Sequence, residues 1–296
     1  MKIAIYGRPF AKQSIEFIHK FFNTLSSKNN ELYLHHDFAD FLRRDLSFHP
    51  KVEAEFVSYK DLSSDFDFMF SIGGDGTFLE SVNLVRNLNI PIVGINSGRL
   101  GFLANIAKEN TVIAVKSLMR GDYEIEERTL LELETDNNLF GEFNKALNEL
   151  TIIKKDTSSM ITIKAYVDGE YLNSYWTDGL IISTPTGSTG YSLSVGGPIV
   201  MPGTKNFIIS PIAPHNLTVR PMVIPDDKEI VLKVDGRENS FLATLDFRSK
   251  PFDKSVELRI RKANYTIKTV KFDDSSFFGT IRNKLMWGLD RRTIEE

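Results

Sequence analysis

The chain has 296 residues, 42% hydrophobic and 25% charged, enough for two ordinary domains and a packed core. Its 36 basic and 39 acidic residues give a formal net charge of −3, which excludes a broad electrostatic attraction to nucleic acid or acidic membranes. There is no cysteine, so disulfides, thiolate metal sites and a cysteine nucleophile are excluded.

KIAIY (2–6) reads as a short strand. That apolar run, ended by Gly7 and Arg8, is too short for a signal-peptide core. No run of about 18 apolar residues predicts a membrane span. SIEFIHKFFNTL (14–25) predicts a helix, with Ile15, Ile18, Phe22 and Leu25 at three- and four-residue spacing. HHDFADFLRRD (35–45) reads as a surface loop or helix. Its adjacent His35 and His36 invite a metal reading, but neighbouring positions do not share a helix face and no third ligand is evident. EAEFVSY (53–59) and FDFMFSI (66–72) predict strands. From Phe78, the residues Leu79, Val82, Val85 and Leu88 line one helix face; Pro91 ends it and IVGI (92–95) gives the next strand. Residues 110–120 predict a further helix, stopped by Gly121. Such alternation argues for a parallel sheet with helices on its faces.

The pattern changes after Tyr123. LLELET (130–135), ELTIIK (149–154) and ITIKAYV (161–167) are strand-like, and Asp168-Gly169 predicts a two-residue hairpin turn into EYLNSYW. Further strands are expected at 180–183, 207–212, 229–234, 241–247 and 256–272. FFGTIRNKLMWGL (277–289) is helical again. A lone helix after a β-rich region must bury its apolar stripe, on the first domain or at a subunit contact.

GGDGT (73–77) follows a strand and opens a helix, so backbone N–H groups and the positive end of the helix dipole meet at the turn. Glycine serves where the chain turns tightly or where a phosphate would collide with a Cβ. No lysine follows, so this is not a Walker loop, nor is it the six-residue Rossmann fingerprint. Asp75 is the informative residue. A carboxylate beside bound phosphate suits an acceptor hydroxyl that must lose a proton. In a loose phosphoryl-transfer transition state that hydroxyl is weakly deprotonated when it attacks. The aspartate would orient it and take its proton late. The alternative is a glycine-rich turn with Asp75 as helix cap. Diacylglycerol and sphingosine kinases and phosphofructokinases carry a similar motif, so it indicates no particular substrate.

TDGLIISTPTGSTGYSLSVGGPIV (177–200) holds a hydroxyl-rich loop with Thr184, Thr186, Ser188, Thr189, Tyr191 and Ser192. It offers neutral donors for phosphate and ribose oxygens, and a flat ring for a base. Its alternative is a polar surface turn. ALNELTI (146–152) puts Asn148 and Glu149 at a strand edge, where an asparagine amide can pair with the N6/N7 edge of adenine. Alone, that pair reads as a polar strand end.

With GGDGT, GINSGRLGFLA (94–104), LNEL, DGLIISTPTGSTGYSLSVGGPI, PIAPHNLTVRPMVIP (211–225) and NKLMWG together, the chain resembles the NAD kinases over most of its length. The resemblance implies an α/β N-terminal domain with a Rossmann-like parallel sheet, residues 1–122 completed by 275–296. A β-rich NAD-binding domain would span 123–274. It implies ATP-dependent phosphorylation of the 2′-hydroxyl of the adenosine ribose of NAD, with Mg²⁺ brought by ATP. A cytoplasmic homodimer or homotetramer is expected, with no nucleic-acid or membrane partner. Carried over by motif, Asp75 is the general base, with Gly73, Gly74 and Gly76 at the phosphates. Asn148 and Glu149 hold adenine and ribose, and Asp178 accepts from a nicotinamide amide or a ribose hydroxyl. Thr186, Thr189, Gly190, Tyr191, Ser192, Leu193 and Ser194 wrap the nucleotide. Arg248 is the expected late contact, with a salt bridge to Asp246 or Glu238 as its alternative. His215 lines the site or serves as an ordinary loop or core histidine. The family usually has alanine where this chain has Gly190, which predicts a slightly wider pocket and a looser loop. A lipid or sugar kinase and a non-catalytic NAD(P) sensor are the competing readings. Polyphosphate is the alternative donor.

Overall fold

A computed structural model describes residues 1–11, 14–26, 30–98, 101–155, 159–272 and 276–288. The chain divides into two compact units, one of Met1–Glu127 with Ile267–Glu296 and one of Arg128–Thr266.

The first unit begins β1 (Lys2–Gly7), α1 (Ile15–Ser26), β2 (Glu31–His35), α2 (His36–Leu46), β3 (Ala54–Phe56) and β4 (Phe68–Gly73). It continues α3 (Asp75–Val85), β5 (Ile92–Asn96), β6 (Ile106–Ala107) and α4 (Thr111–Arg120). The main strands run in the order β5-β4-β1-β2-β3, and every pairing between them is parallel. Side chains alternate across such strands. Ile3, Ile5, Phe68, Phe70, Ile72, Val93 and Ile95 share one core with α1, α2 and α4. Gly94 falls on the alternate register, and a Cβ there would meet the Phe78 ring of α3 at 3.0 Å and the Leu103 carbonyl at 2.8 Å. α4 ends at Gly121, whose φ of 81° gives the left-handed cap.

The histidine pair has structural partners. His35 is buried and its Nε2 lies 3.1 Å from the Val57 carbonyl oxygen, while His36 pairs with Glu55 and Asp40. The strand expected over 53–59 is shorter, because Tyr59–Asp61 form a 3₁₀ turn capped by Ser58.

β7 (Glu124–Glu134) leads into the second unit, which holds β8 (Lys145–Ala146), β9 (Glu149–Lys154), β10 (Ile161–Val167), β11 (Glu170–Thr177) and β12 (Gly179–Ser183). After the short helix α5 (Tyr191–Ser194) come β13 (Asn206–Ile212), β14 (Met222–Pro225), β15 (Ile230–Asp235), β16 (Ser240–Leu245) and β17 (Arg248–Asp253). β18 (Leu258–Lys271) returns to the first unit, where Thr269 pairs with Ile92, and α6 (Phe277–Leu285) follows. Leu289, expected to extend that helix, lies outside the described residues, as do residue 275, the terminal residues 289–296, and Arg99 and Leu100.

Six strands of the second unit form an antiparallel sheet in the order β14-β13-β12-β9-β16-β17. The other strands run β11-β10-β15-β18, with β7 beside β18 and β8 beside β7. Alternate residues of both groups of strands, such as Leu150, Ile152, Leu180, Ile163, Leu232 and Ile260, meet in one buried core. The hairpin turn forms as expected: Val167 pairs with Glu170, and Asp168 and Gly169 have φ of 49° and 81°.

Candidate active site

β4 delivers the chain to the first unit's glycine-rich turn. A Cβ on Gly73 would stand 2.2 Å from Thr77 Oγ1, so glycine lets the strand end lie against the first turn of α3. A Cβ on Gly74 or Gly76 would meet nothing within 4 Å. Those two faces are open, the condition for close approach of a phosphate.

Asp75 is the first residue of α3, and no side chain caps that helix. Its carboxylate turns to a neighbouring loop. Oδ1 accepts from the Leu103 and Ala104 amides at 3.0 Å each, and Oδ2 from the Phe102 amide at 2.9 Å. Lys284 of α6 stands 3.6 Å from Oδ2, its ammonium over the Phe102 ring. The helix-cap alternative is thereby removed. Asn96 steadies the same loop, donating to the Ala104 carbonyl and accepting from the Gly98 amide.

In the second unit, three backbone amides, those of Leu147, Asn148 and Glu149, donate to the Asp246 carboxylate at 2.9, 2.8 and 3.2 Å. Asp246 itself has a φ of 54°, a conformation aspartate tolerates better than most residues. The hydroxyl-rich loop sits on that strand end. The Thr184 amide donates to the Asn148 carbonyl, and the Thr184 hydroxyl to that of Leu147. A Cβ on Gly187 would lie 2.2 Å from the Asn148 carbonyl oxygen, so only glycine permits the approach. Residues 186–189 form a 3₁₀ turn and α5 follows directly.

This packing brings Asn148, Glu149, Thr186, Thr189, Gly190 and Tyr191 into one cluster. Thr186 is buried and accepts from the Thr189 hydroxyl through its carbonyl. Ser192 is buried against Ser210, their hydroxyls 3.0 Å apart, while Leu193 is half-buried and Ser194 exposed. The Tyr191 ring is exposed, open to stacking by a base. Asn148 Oδ1 and Glu149 Oε2 are buried polar atoms with no hydrogen-bond partner. Burial, and then the Asp246 carboxylate, push the Glu149 carboxyl up to about 8, opposed by the Tyr191 amide at Oε1. Burial also raises Asp246, against the three amides that favour its charged form.

The absent methyl at Gly190 does not widen a pocket. A Cβ there would meet Glu149 Oε2 at 2.8 Å and the Gly187 carbonyl oxygen at 3.1 Å, so the carboxyl already fills that space. Asp178 is paired with Lys154 at 2.6 Å. Arg248 has carbonyl partners within its own unit. Its two terminal nitrogens donate to the Phe143 and Lys145 carbonyls, and its guanidinium lies over the Phe143 ring. Those contacts make it a brace for the 143–145 segment. His215 is an exposed loop residue against Trp176, ring centroids 4.3 Å apart.

A cavity of about 800 Å³ in the first unit, lined by Asn105, Asn110, Ser117, Arg120, Thr280, Asn283 and their neighbours, contains none of the expected site residues. Three features had no role in the sequence reading: the 102–104 amides, Asp246 as an amide acceptor, and Lys284. The glycines and apolar residues of GFLA gave the only signal for the first.

An α/β unit with a glycine-rich turn and a β-rich unit with a hydroxyl-rich loop on a strand end define a phosphotransferase that handles nucleotides. The model for the ATP-NAD kinase N-terminal domain matches residues 3–123, and that for the ATP-NAD kinase C-terminal domain matches residues 147–272. The chain belongs to the NAD kinase family. The NAD kinase of Flavobacterium johnsoniae is 49% identical over 294 residues, covering 99% of this chain and 100% of that protein. That of Cytophaga hutchinsonii is 46% identical over 292 residues, with the same coverage. An Archaeoglobus fulgidus NAD kinase in complex with ATP matches with a TM-score of 0.75 at 26% identity, over 97% of this chain and 99% of that one. Yeast NADH kinase complexed with NADH shares the fold, with a TM-score of 0.87 at 21% identity over 98% of this chain and 88% of that one.

Proposed function

We propose that the protein transfers the terminal phosphate of ATP to the 2′-hydroxyl of the adenosine ribose of NAD, giving NADP and ADP. The observation that carries this reading is the Asp75 carboxylate. It heads α3 beside two open glycine faces, yet it bonds to the 102–104 amides and leaves its own helix uncapped. A carboxylate fixed in that way is preorganised to receive a hydroxyl.

Oδ1 takes two amides and Oδ2 one, so Oδ2 is the oxygen with room for the acceptor hydroxyl. The 2′-oxygen bonds to the γ-phosphorus while the bond to the β–γ bridging oxygen breaks, and ADP leaves. The hydroxyl proton passes to Oδ2 late in that step and then to water. The Gly74 and Gly76 faces and the amides at the start of α3 receive phosphate oxygens.

Asn148 and Glu149 hold adenine and ribose. Glu149 Oε2 and Asn148 Oδ1 are buried and unpartnered, which is how a site looks when the ligand supplies the partners. Tyr191 stacks on a ring, and Asp178, Thr186 and Thr189 to Ser194 surround the nucleotide. Arg248 supports the strand end from the 143–145 side.

Mg²⁺ brought by ATP would offset the charge of the phosphates when bound. A homodimer or homotetramer in the cytoplasm completes the reading. Among the described residues no helix is long and apolar enough to cross a membrane.

The test is a product assay with NAD, ATP and Mg²⁺, read by a dehydrogenase specific for NADP. NADP should accumulate. Phosphorylation of sphingosine, diacylglycerol or fructose 6-phosphate in its place would favour the lipid or sugar kinase. Tight NAD binding with no product from ATP or polyphosphate would make the protein a sensor.

A further inference from the structure

We propose that Lys284 is a positioning residue for phosphoryl transfer, holding Oδ2 of Asp75 through its ammonium while seated on the Phe102 ring. The proposal rests on the function proposed above and adds to it a residue near the end of the chain.

Three observations in the first unit converge. Lys284 Nζ lies 3.6 Å from Asp75 Oδ2. The same nitrogen lies 4.4 Å from the centroid of the Phe102 ring. The amide of Phe102 donates to the same Oδ2 at 2.9 Å. One aromatic residue therefore contacts the lysine with its ring and the carboxylate with its backbone. Its ring face favours a cation, and so do the electrons of the carboxylate.

The two carboxylate oxygens are not equivalent. Oδ1 is fixed by the Leu103 and Ala104 amides, so the loop alone holds it. Oδ2 has one amide, and its second direction is what the acceptor hydroxyl needs. At 3.6 Å the ammonium is longer than a tight charged hydrogen bond of about 2.7–2.9 Å. It steers the oxygen without closing off that direction. Lys284 is on the final turn of α6, with Leu285 the last helical residue. A basic residue is favoured there by the helix dipole. Both partners are about one-third exposed, at 34% for Lys284 and 31% for Asp75. Such a pair adds little to folding stability. Its effect belongs to the reaction.

The experiment is a double-mutant cycle on turnover, with D75N, K284M and the double variant assayed for NADP, and K284R as the charge-keeping control. With Asp75 intact, K284M should lower kcat by about tenfold to a hundredfold, with KM for NAD within about threefold. K284R should recover most of the loss. In the Asp75→Asn background, where the carboxylate is gone, K284M should change the residual rate by less than about twofold. Thermal unfolding should show the same Tm for K284M and wild type. An equal loss in both backgrounds would overturn the proposal, since Lys284 would then act elsewhere. A K284R as impaired as K284M, or a K284M that turns over like wild type, would also overturn it. Wild-type protein that makes no NADP would overturn the proposed function and this inference together, whereas active wild type with an indifferent K284M would remove only the inference.

Discussion

Gly101 lies directly against Asp75: a Cβ built on Gly101 would stand 1.8 Å from Oδ1 and 2.6 Å from the carboxyl carbon. The loop that carries the 102–104 amides passes the aspartate at a distance only glycine permits. A methyl there must displace either the carboxylate or the backbone that clamps it. We expect Gly101→Ala to lose at least two of the three amide bonds and to lower kcat by about a hundredfold or more. Stability should fall by about 0.5–1.5 kcal/mol, because partly buried polar groups lose hydrogen bonds. Steady-state NADP formation and urea unfolding check both parts.

Glu149 makes stability depend on pH. Its carboxyl is raised from 4.5 to about 8 by burial and by Asp246. Between those values the folded state holds a proton that the unfolded chain has released. Stability therefore falls as pH rises through that window, and the loss is complete above about 8. Asp246 is shifted in the same direction. Glu149→Gln keeps the shape and removes the titration. Its Tm should fall less than that of wild type between about pH 5 and pH 8, within the window set by the shifted Glu149 carboxyl. Parallel slopes for the two proteins would contradict the assignment.

Gly190 tests how the second cluster is packed. Its φ is −90°, outside the left-handed region that favours glycine. The added methyl would press on Glu149 Oε2 and on the Gly187 carbonyl. The carboxyl is the end of a flexible side chain and can yield. Gly190→Ala should fold with a stability change within about 1 kcal/mol. KM for NAD should rise by about threefold to tenfold, with kcat held within about twofold, as for a ground-state contact. Kinetics at varied NAD decide it.

Much of the fold was legible because the apolar periods are clear. Ile15, Ile18, Phe22 and Leu25 mark α1, and Asp168-Gly169 marks its hairpin. The strands β2, β14 and β17 were not: Glu31–His35 and Met222–Pro225 are too short to show a period, and Arg248–Asp253 carries too few apolar residues. The division between the units falls within β7 and β18, where no change in composition signals it. At the site, the residue types of GGDGT and of the 184–194 loop announce themselves. Asp246 and Lys284 do not. An aspartate that accepts three amides nearly a hundred positions away looks like any loop aspartate in the sequence. Lys284 is one of two basic residues in the last turn of an ordinary helix. The bonds of Arg248 to the Phe143 and Lys145 carbonyls were not legible either, because carbonyl partners carry no sequence signature.

The most direct measurement is kcat of Asp75→Asn for NADP formation beside the dissociation constant of the same variant for NAD. The variant keeps the shape of the side chain and replaces the proton-accepting oxygen. We predict a fall in kcat of about two orders of magnitude or more, with NAD affinity within about threefold of wild type. Turnover equal to wild type would contradict the account.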